Sequence, residues 1–150
     1  MYARAFSLIE VLIVIGILAI LSTGVFVAMS NLKEGRQLSS ATDGVVFTLE
    51  QAKADALSGK SGVAHGVHFE SNSYVRFWGS TYNASSPDNV TYDLPEDVTL
   101  QSVISGGGAD IVFARLDARV STPGTITLTD STGGLRSISV AASGSISKSE

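Results

Sequence analysis

An apolar stretch near the amino terminus, from Phe6 to Met29, constrains the fold of this chain more than any other feature. It contains a single charge, Glu10, and the residues from Val11 to Met29 carry none. A helix over the uncharged part is roughly 28 Å long, because each residue adds about 1.5 Å. That length matches the hydrocarbon core of a bilayer. The sequence therefore predicts one transmembrane helix over residues 6–29.

The charge of Glu10 needs an explanation, because a carboxylate within an apolar helix is costly in lipid and is commonly paired with a cation. The next charge along the chain is Lys33, several helical turns further on. The cationic partner of Glu10 should therefore come from outside its own downstream helix.

Small residues recur along one side of the same stretch. Gly16, Ala19 and Thr23 share one helical face, and Gly24 lies beside them. Such a ridge lets two helices approach closely. Alternatively, it reflects only the general frequency of glycine in membrane helices. The sequence leaves both interpretations open.

The residues around Glu10 resemble the processing and assembly motif of type IV pilins and type II secretion pseudopilins. The segment from Ala5 to Glu10 reads AFSLIE and leads directly into the apolar run. The resemblance implies that a prepilin peptidase cuts between Ala5 and Phe6, that the new amino terminus at Phe6 is methylated, and that Glu10 pairs with a terminal amine in the assembling filament. The chain departs from the family pattern in having Ala5 where glycine is usual and in lacking a proline in mid-run.

The resemblance also implies how the chain is organised. Residues 1–5 are a leader that is removed, 6–29 are a transmembrane and assembly helix, 30–61 are an amphipathic continuation and linker, and 62–150 are a soluble β-rich head. The precursor is expected to cross the inner (cytoplasmic) membrane once, with its carboxy-terminal domain outside the cytoplasm, before assembly into a pilus or pseudopilus. The implied partners are other pilin or pseudopilin subunits, the prepilin peptidase and methyltransferase, the inner-membrane assembly platform and membrane lipid.

Two other interpretations of the apolar stretch are a secretory signal peptide and a plain membrane anchor without a filament role. A signal peptide needs a small-residue cleavage site, which Ser22 to Gly24 could supply. Glu10 at the head of the apolar core argues against it.

Helical spacing continues beyond the apolar stretch. Six apolar residues fall on one face of a helix and form a stripe: Leu38, Ala41, Val45, Leu49, Ala52 and Ala56. Phe47 lies opposite this stripe, either as a contact for a neighbouring subunit or as an aromatic ring packed by a nearby loop. The cluster from Ser58 to Gly62 is typical of a helix end. The pattern predicts one helix from about Ser7 to Leu57.

From Gly62 onward the sequence predicts strands and turns. Runs rich in β-branched and aromatic residues are bounded by Gly, Pro, Asn, Asp and Ser. The runs are 63–69, 74–78, 90–92, 98–103, 111–113, 126–129, 136–140 and 145–147. A helix followed by antiparallel strands predicts an α+β domain whose sheet covers the amphipathic half of the helix. The resemblance to pilins implies the same architecture, the pilin fold.

Short pieces of the second half resemble the minor pseudopilin branch called GspH or FimT-like. In order they are 49–56, 66–69 (GVHF), 94–95, 124–128 (GTITL) and 144–146. These pieces are short and degenerate, so they are much less specific than the amino-terminal motif.

The composition limits other functions. The chain has no cysteine, which excludes a disulfide, a thiolate metal site and a cysteine nucleophile. Its formal net charge of −4 is a poor basis for binding a polyanion. The alternative function is a DNA-binding minor pilin of a competence pilus. Arg115, Arg119 and Arg136 could cluster in space despite the overall charge, but the carboxy-terminal segment 143–150 offers only Lys148 against Glu150. DNA is therefore not expected among the partners.

No catalytic or cofactor-binding pattern emerges. His65 and His68 are three residues apart on a predicted strand and therefore lie on opposite faces, where they cannot share a ligand. Four acids near one loop could supply oxygen ligands to calcium, although without the spacing of an EF-hand: Asp88, Asp93, Glu96 and Asp97. A solvated acidic loop is the favoured interpretation. The sequence predicts a non-enzymatic filament subunit with no cofactor and no metal site.

Overall fold

The computed structural model describes the backbone of residues 7–149 and the side chains of residues 7–22 and 35–149. The predicted cleavage junction between Ala5 and Phe6 lies outside the described residues. The chain divides into two compact units, Met1–Lys33 and Glu34–Glu150. We call the second unit the head.

A single α-helix, α1, runs over Leu8–Leu57, as the sequence predicted. At its start the Ser7 carbonyl accepts hydrogen bonds from the N–H groups of Glu10 and Val11, at 3.0 and 3.3 Å. The helix ends before Gly59, whose φ of 66° is in the left-handed region that glycine adopts at low cost. A short 3₁₀ turn, Lys60–Gly62, follows.

Eight strands follow the helix, and each overlaps a predicted run. They are β1 (His65–Phe69), β2 (Ser73–Trp78), β3 (Val90–Asp93), β4 (Val98–Ile104), β5 (Asp110–Phe113), β6 (Gly124–Asp130), β7 (Leu135–Val140) and β8 (Ile146–Ser149). All pairings are antiparallel. The first sheet has the order β3-β2-β1-β5 and the second sheet has the order β4-β6-β7-β8. The sequence predicted the strands but not their division between two sheets.

The core of the head lies between the second half of α1 and the two sheets. All six residues of the predicted stripe are buried in it. The first sheet adds Val67, Phe69, Tyr74, Ile111 and Phe113, and the second adds Leu100, Ile126, Leu128, Ile138 and Val140. Phe47, on the opposite side of the helix, is 68% exposed. The helical period therefore assigned the two faces of this half of α1 correctly.

Tyr74 fixes the close approach of β2 to α1. A Cβ atom placed on Gly44 would lie 3.0 Å from the Tyr74 hydroxyl, so only a very small residue fits there without adjustment. The Tyr74 side chain hydrogen-bonds to Thr48 and stacks on Tyr92 at 5.2 Å between ring centroids. Burial raises the pKa of Tyr74, the bond to Thr48 opposes that shift, and Tyr92 adds to it. This contact joins the helix to the first sheet.

The turn between β6 and β7, which falls between the predicted runs 126–129 and 136–140, is organised by Asp130. One carboxylate oxygen accepts hydrogen bonds from the Thr132 hydroxyl at 2.7 Å, the Thr132 N–H at 3.0 Å and the Gly134 N–H at 2.7 Å. The Thr132 hydroxyl lowers the pKa of Asp130 most, and the backbone N–H groups of the turn act in the same direction against the effect of burial. The ionised carboxylate therefore closes this turn.

The outer face of the first sheet is also covered. Val75 and Phe77 are buried but lie outside the main core. The Phe77 ring crosses Gly66, where a Cβ atom would lie 2.6 Å from the ring and 2.9 Å from the Ile111 carbonyl oxygen. Tyr82, in the loop of residues 79–89, meets Phe77 edge-on at 5.5 Å between centroids. This loop is an additional layer that strand alternation does not predict.

Candidate functional site

Glu10 lies in the first turn of α1, and its side chain is exposed. A carboxylate at this end of a helix is favoured by the helix dipole. Among the residues whose side chains are described, no cation lies within ion-pair distance of Glu10. The structure therefore leaves the carboxylate available for a partner, and its pairing role stays a prediction.

The predicted ridge of small residues is described in part. Gly16 and Ala19 are exposed on α1, and a Cβ atom on Gly16 would meet nothing within 4 Å. Thr23 and Gly24 are helical, but they lie outside the residues whose side chains are described. The described part of the ridge is thus open to a second helix, and its packing role stays a prediction.

The first unit presents a large apolar surface. Between Leu8 and Leu21 every large apolar side chain is 46% or more exposed. A continuous apolar surface of this kind marks an interaction with lipid or protein. Over the residues that the structure describes, no helix combines the length and apolarity needed to cross a membrane, so the span predicted for residues 6–29 is not confirmed.

A polar cluster fastens the end of α1 to the first sheet. Asp55 accepts a hydrogen bond from Arg76 at 2.7 Å and pairs with Lys60 at 3.1 Å. The Lys60 ammonium lies 5.7 Å from the centre of the Trp78 ring. The Arg76 and Asp55 side chains are only 10% and 16% exposed, so the pair is largely shielded from water. Its arrangement is that of a structural ion pair that fixes the helix end.

The two histidines lie on opposite faces of β1, as predicted. His65 is fully buried, and its Nε2 lies 3.0 Å from the Lys60 carbonyl oxygen. His68 is on the outer face, where its Nδ1 lies 2.5 Å from the Asp110 carboxylate. They do not come together at one site. Sequence reasoning missed the His68–Asp110 pair because the two residues are 42 positions apart and meet only through the β1–β5 pairing.

The surroundings of His68 decide what chemistry it can perform. A histidine held by a carboxylate is one half of a serine-hydrolase triad. Here, however, Nε2 faces the Glu70 carboxylate at 3.7 Å rather than a hydroxyl group. Tyr82 stacks on the imidazole with 3.9 Å between centroids and 10° between planes. The geometry therefore orients His68 strongly without placing a nucleophile beside it.

A groove of about 440 Å³ opens near Asp110 and is lined by residues of β5 and the neighbouring loops. Val112, Ala114 and Arg119 are among its lining residues. The Arg119 guanidinium lies 3.9 Å from Asp117, which partly offsets its charge. Its polar lining side chains are those of Ser80, Thr81, Asp110, Arg119, Ser121 and Thr122.

The acidic loop does not gather into a metal centre within the described residues. Its four predicted oxygen donors, Asp88, Asp93, Glu96 and Asp97, are all exposed. Across residues with described side chains, no group of three or more His, Asp or Glu is placed to hold a metal ion. The calcium interpretation therefore gains no support.

Comparisons with known proteins bear on the amino-terminal motif and on the fold. Residues 1–26 match the family model described as the prokaryotic N-terminal methylation motif. The minor pseudopilin EpsH from the type 2 secretion system of Vibrio cholerae is similar in structure, with a TM-score of 0.54 and 12% sequence identity over 75% of this chain and 96% of EpsH. At that identity the likeness shows a shared fold. No curated protein matches the chain in a sequence search.

The chain therefore joins a prokaryotic N-terminal methylation motif over residues 1–26 to an α+β fold that it shares with the minor pseudopilin EpsH. Neither comparison supports the DNA-binding alternative.

Proposed function

We propose that this protein is a non-enzymatic minor pseudopilin of a type II secretion pseudopilus, with a type IV pilus as the other assembly of the same kind. The observation that carries the proposal is the joining of a methylation motif over residues 1–26 to the fold found in EpsH. EpsH belongs to a type 2 secretion system. That likeness favours the secretion machine over the pilus.

The proposed life cycle begins with a precursor held in the inner membrane by the first part of α1, with the head outside the cytoplasm. A prepilin peptidase removes residues 1–5 by cutting between Ala5 and Phe6, and Phe6 is then N-methylated. Besides the peptidase and methyltransferase, the partners are membrane lipid and an inner-membrane assembly platform. The exposed apolar surface between Leu8 and Leu21 supports a helix that is covered first by lipid and then by other subunits.

The two parts of α1 have different roles in the proposed assembly. In the first part the Glu10 carboxylate is free of a partner among the described side chains, so it can pair with the terminal amine of a neighbouring subunit. Gly16 and Ala19 supply an open strip along which another helix can pack. In the head, the buried stripe fastens α1 to the sheets and leaves Phe47 facing outward. We assign Phe47 to the contact with a neighbouring subunit.

Site-specific photo-crosslinking in cells that make the assembly machinery tests this function. Benzoylphenylalanine at position 47 is expected to crosslink to other pilin-type subunits, because Phe47 is 68% exposed on the face of α1 opposite the buried stripe. Position 103 is the matched control, since Val103 is also 68% exposed but lies on β4. We expect few pilin-type crosslinks there. If position 47 captures no pilin-type subunit while the protein reaches normal levels, the proposed function is wrong.

A further inference from the structure

We propose that His68 and Glu70 form a binding site for a divalent transition-metal ion of the zinc type, on the outer face of the first sheet. The proposal does not depend on the proposed function, because it rests only on side chains of the head.

The spacing of the two ligand atoms suits a metal ion. His68 lies in β1 and Glu70 directly follows that strand, and their side chains come together beside the sheet. The His68 Nε2 and Glu70 Oε1 atoms are 3.7 Å apart. Zinc bonds of about 2.0–2.2 Å at tetrahedral angles separate two ligand atoms by roughly 3.4 Å. The Glu70 side chain is 53% exposed and can close the remaining few tenths of an ångström.

Each ligand is oriented by a partner of its own. Asp110 accepts the Nδ1 hydrogen of His68, which leaves the lone pair on Nε2 for a metal, in the manner of the carboxylate–histidine–zinc arrangement. Tyr82 fixes the plane of the imidazole by stacking on it. The Ser73 hydroxyl donates to Glu70 Oε2 at 2.9 Å, which leaves Oε1 as the free carboxylate oxygen. Both donor atoms are thus prepared before any ion arrives.

The two facing atoms, His68 Nε2 and Glu70 Oε1, favour a cation between them. With the hydrogen of a neutral imidazole on Nδ1, both Nε2 and the Glu70 oxygen are acceptors, and two acceptors that face each other repel. Either a proton on Nε2 or a metal ion between the two atoms removes the repulsion. The site has two protein ligands, and no third His, Asp or Glu joins them among the described side chains. Water would complete the coordination, which leaves this site one protein ligand short of the three that hold zinc in open catalytic sites.

Imidazole nitrogen NMR of the untagged full chain in zwitterionic detergent tests the proposal, with zinc chloride as the probe. The chain has only two histidines, so each ring can be followed separately. We expect a saturable shift of the His68 Nε2 resonance on addition of zinc. His65 is the internal control, because its ring is fully buried and bonded to the Lys60 carbonyl, and its resonances should not move. No saturable shift of His68 at millimolar zinc would overturn the proposal.

Variants separate this site from adventitious binding. His68→Gln and Glu70→Gln should each abolish saturable zinc binding measured by calorimetry. Asp110→Asn should weaken it by roughly 10–100-fold, the usual effect of losing the partner of a metal-bound histidine. Asp93→Asn removes an exposed acid on β3 of the same sheet and should change nothing. The retained His65 spectrum reports that each variant is folded. If the affinity for zinc is unchanged in Glu70→Gln, whose side chain is half exposed, the assignment is wrong.

Discussion

Replacing Glu10 with valine is expected to leave leader cleavage and membrane insertion intact while removing most of the protein from filaments. A charge within a membrane helix costs about 2.5–3.5 kcal/mol on insertion scales and less near an interface, so its loss should not hinder insertion. In the proposed filament contact the same change removes the partner of a terminal amine that is shielded from water. By analogy with broken buried ion pairs, that loss is about 3–5 kcal/mol. The loss of the Glu10 charge should therefore affect the two steps differently: it should not hinder membrane insertion, and it should hinder filament assembly.

Quantifying each variant in membrane and sheared-filament fractions measures this effect. Glu10→Asp should be intermediate, because the shorter side chain strains the pairing. Glu96→Val is the matched control, since it removes an exposed acid from a loop of the head by the same substitution and should assemble normally. Undiminished Glu10→Val in the filament fraction would show that pairing through this carboxylate does not drive assembly.

The second large effect is expected at Leu49, which is fully buried in the stripe of α1. Leu49→Ala should lower the free energy of unfolding of the head by about 2–5 kcal/mol, because it removes packed atoms and leaves a cavity. Phe47→Ala should change the free energy of unfolding by no more than about 0.5 kcal/mol, since the ring is exposed. Phe47→Ala should instead reduce recovery in the filament fraction.

Urea unfolding followed by the fluorescence of Trp78, the single tryptophan, measures both variants in the full chain. The comparison is informative because the two residues are two positions apart on one helix and face opposite ways. Equal destabilisation by Leu49→Ala and Phe47→Ala would contradict the assignment of the faces. Normal filament recovery of Phe47→Ala would remove this ring from the subunit contact.

The helix and the strands could be predicted because their patterns are local. The spacing of Leu38, Val45 and Leu49 identifies a buried face from the helical period alone. Strand runs are likewise bounded by turn residues such as those from Asp130 to Gly134, whose carboxylate-closed turn lies between the predicted runs 126–129 and 136–140. Neither inference requires knowing which strands become neighbours.

Features that depend on non-local contacts could not be predicted. Alternation along a strand gives its two faces but not its partner, so the division into two sheets was missed. Burial of Phe77 on the outer face required knowing that Tyr82 folds back over it. The Asp110 partner of His68 lies on β5, and only the sheet order brings it there. Glu70 lies just beyond the predicted run 63–69, so strand alternation did not place its side chain beside His68.

The assembly role of Glu10 was predicted from a resemblance and not from a local pattern. Nothing in the periodicity of the apolar stretch assigns a role to Glu10; the role follows from resemblance of the segment from Ala5 to Glu10 to a processing motif. The structure adds that the carboxylate has no cationic partner among the described side chains. An interaction completed by another subunit cannot be seen in a single chain.

Intact-mass spectrometry of the protein purified from its own cells tests whether the chain is processed as a prepilin. We expect a mature chain that begins at Phe6 and carries one N-methyl group, because residues 1–26 match the methylation motif. A chain that still begins at Met1, or one that begins near Val25 after signal-peptidase cleavage, would contradict it.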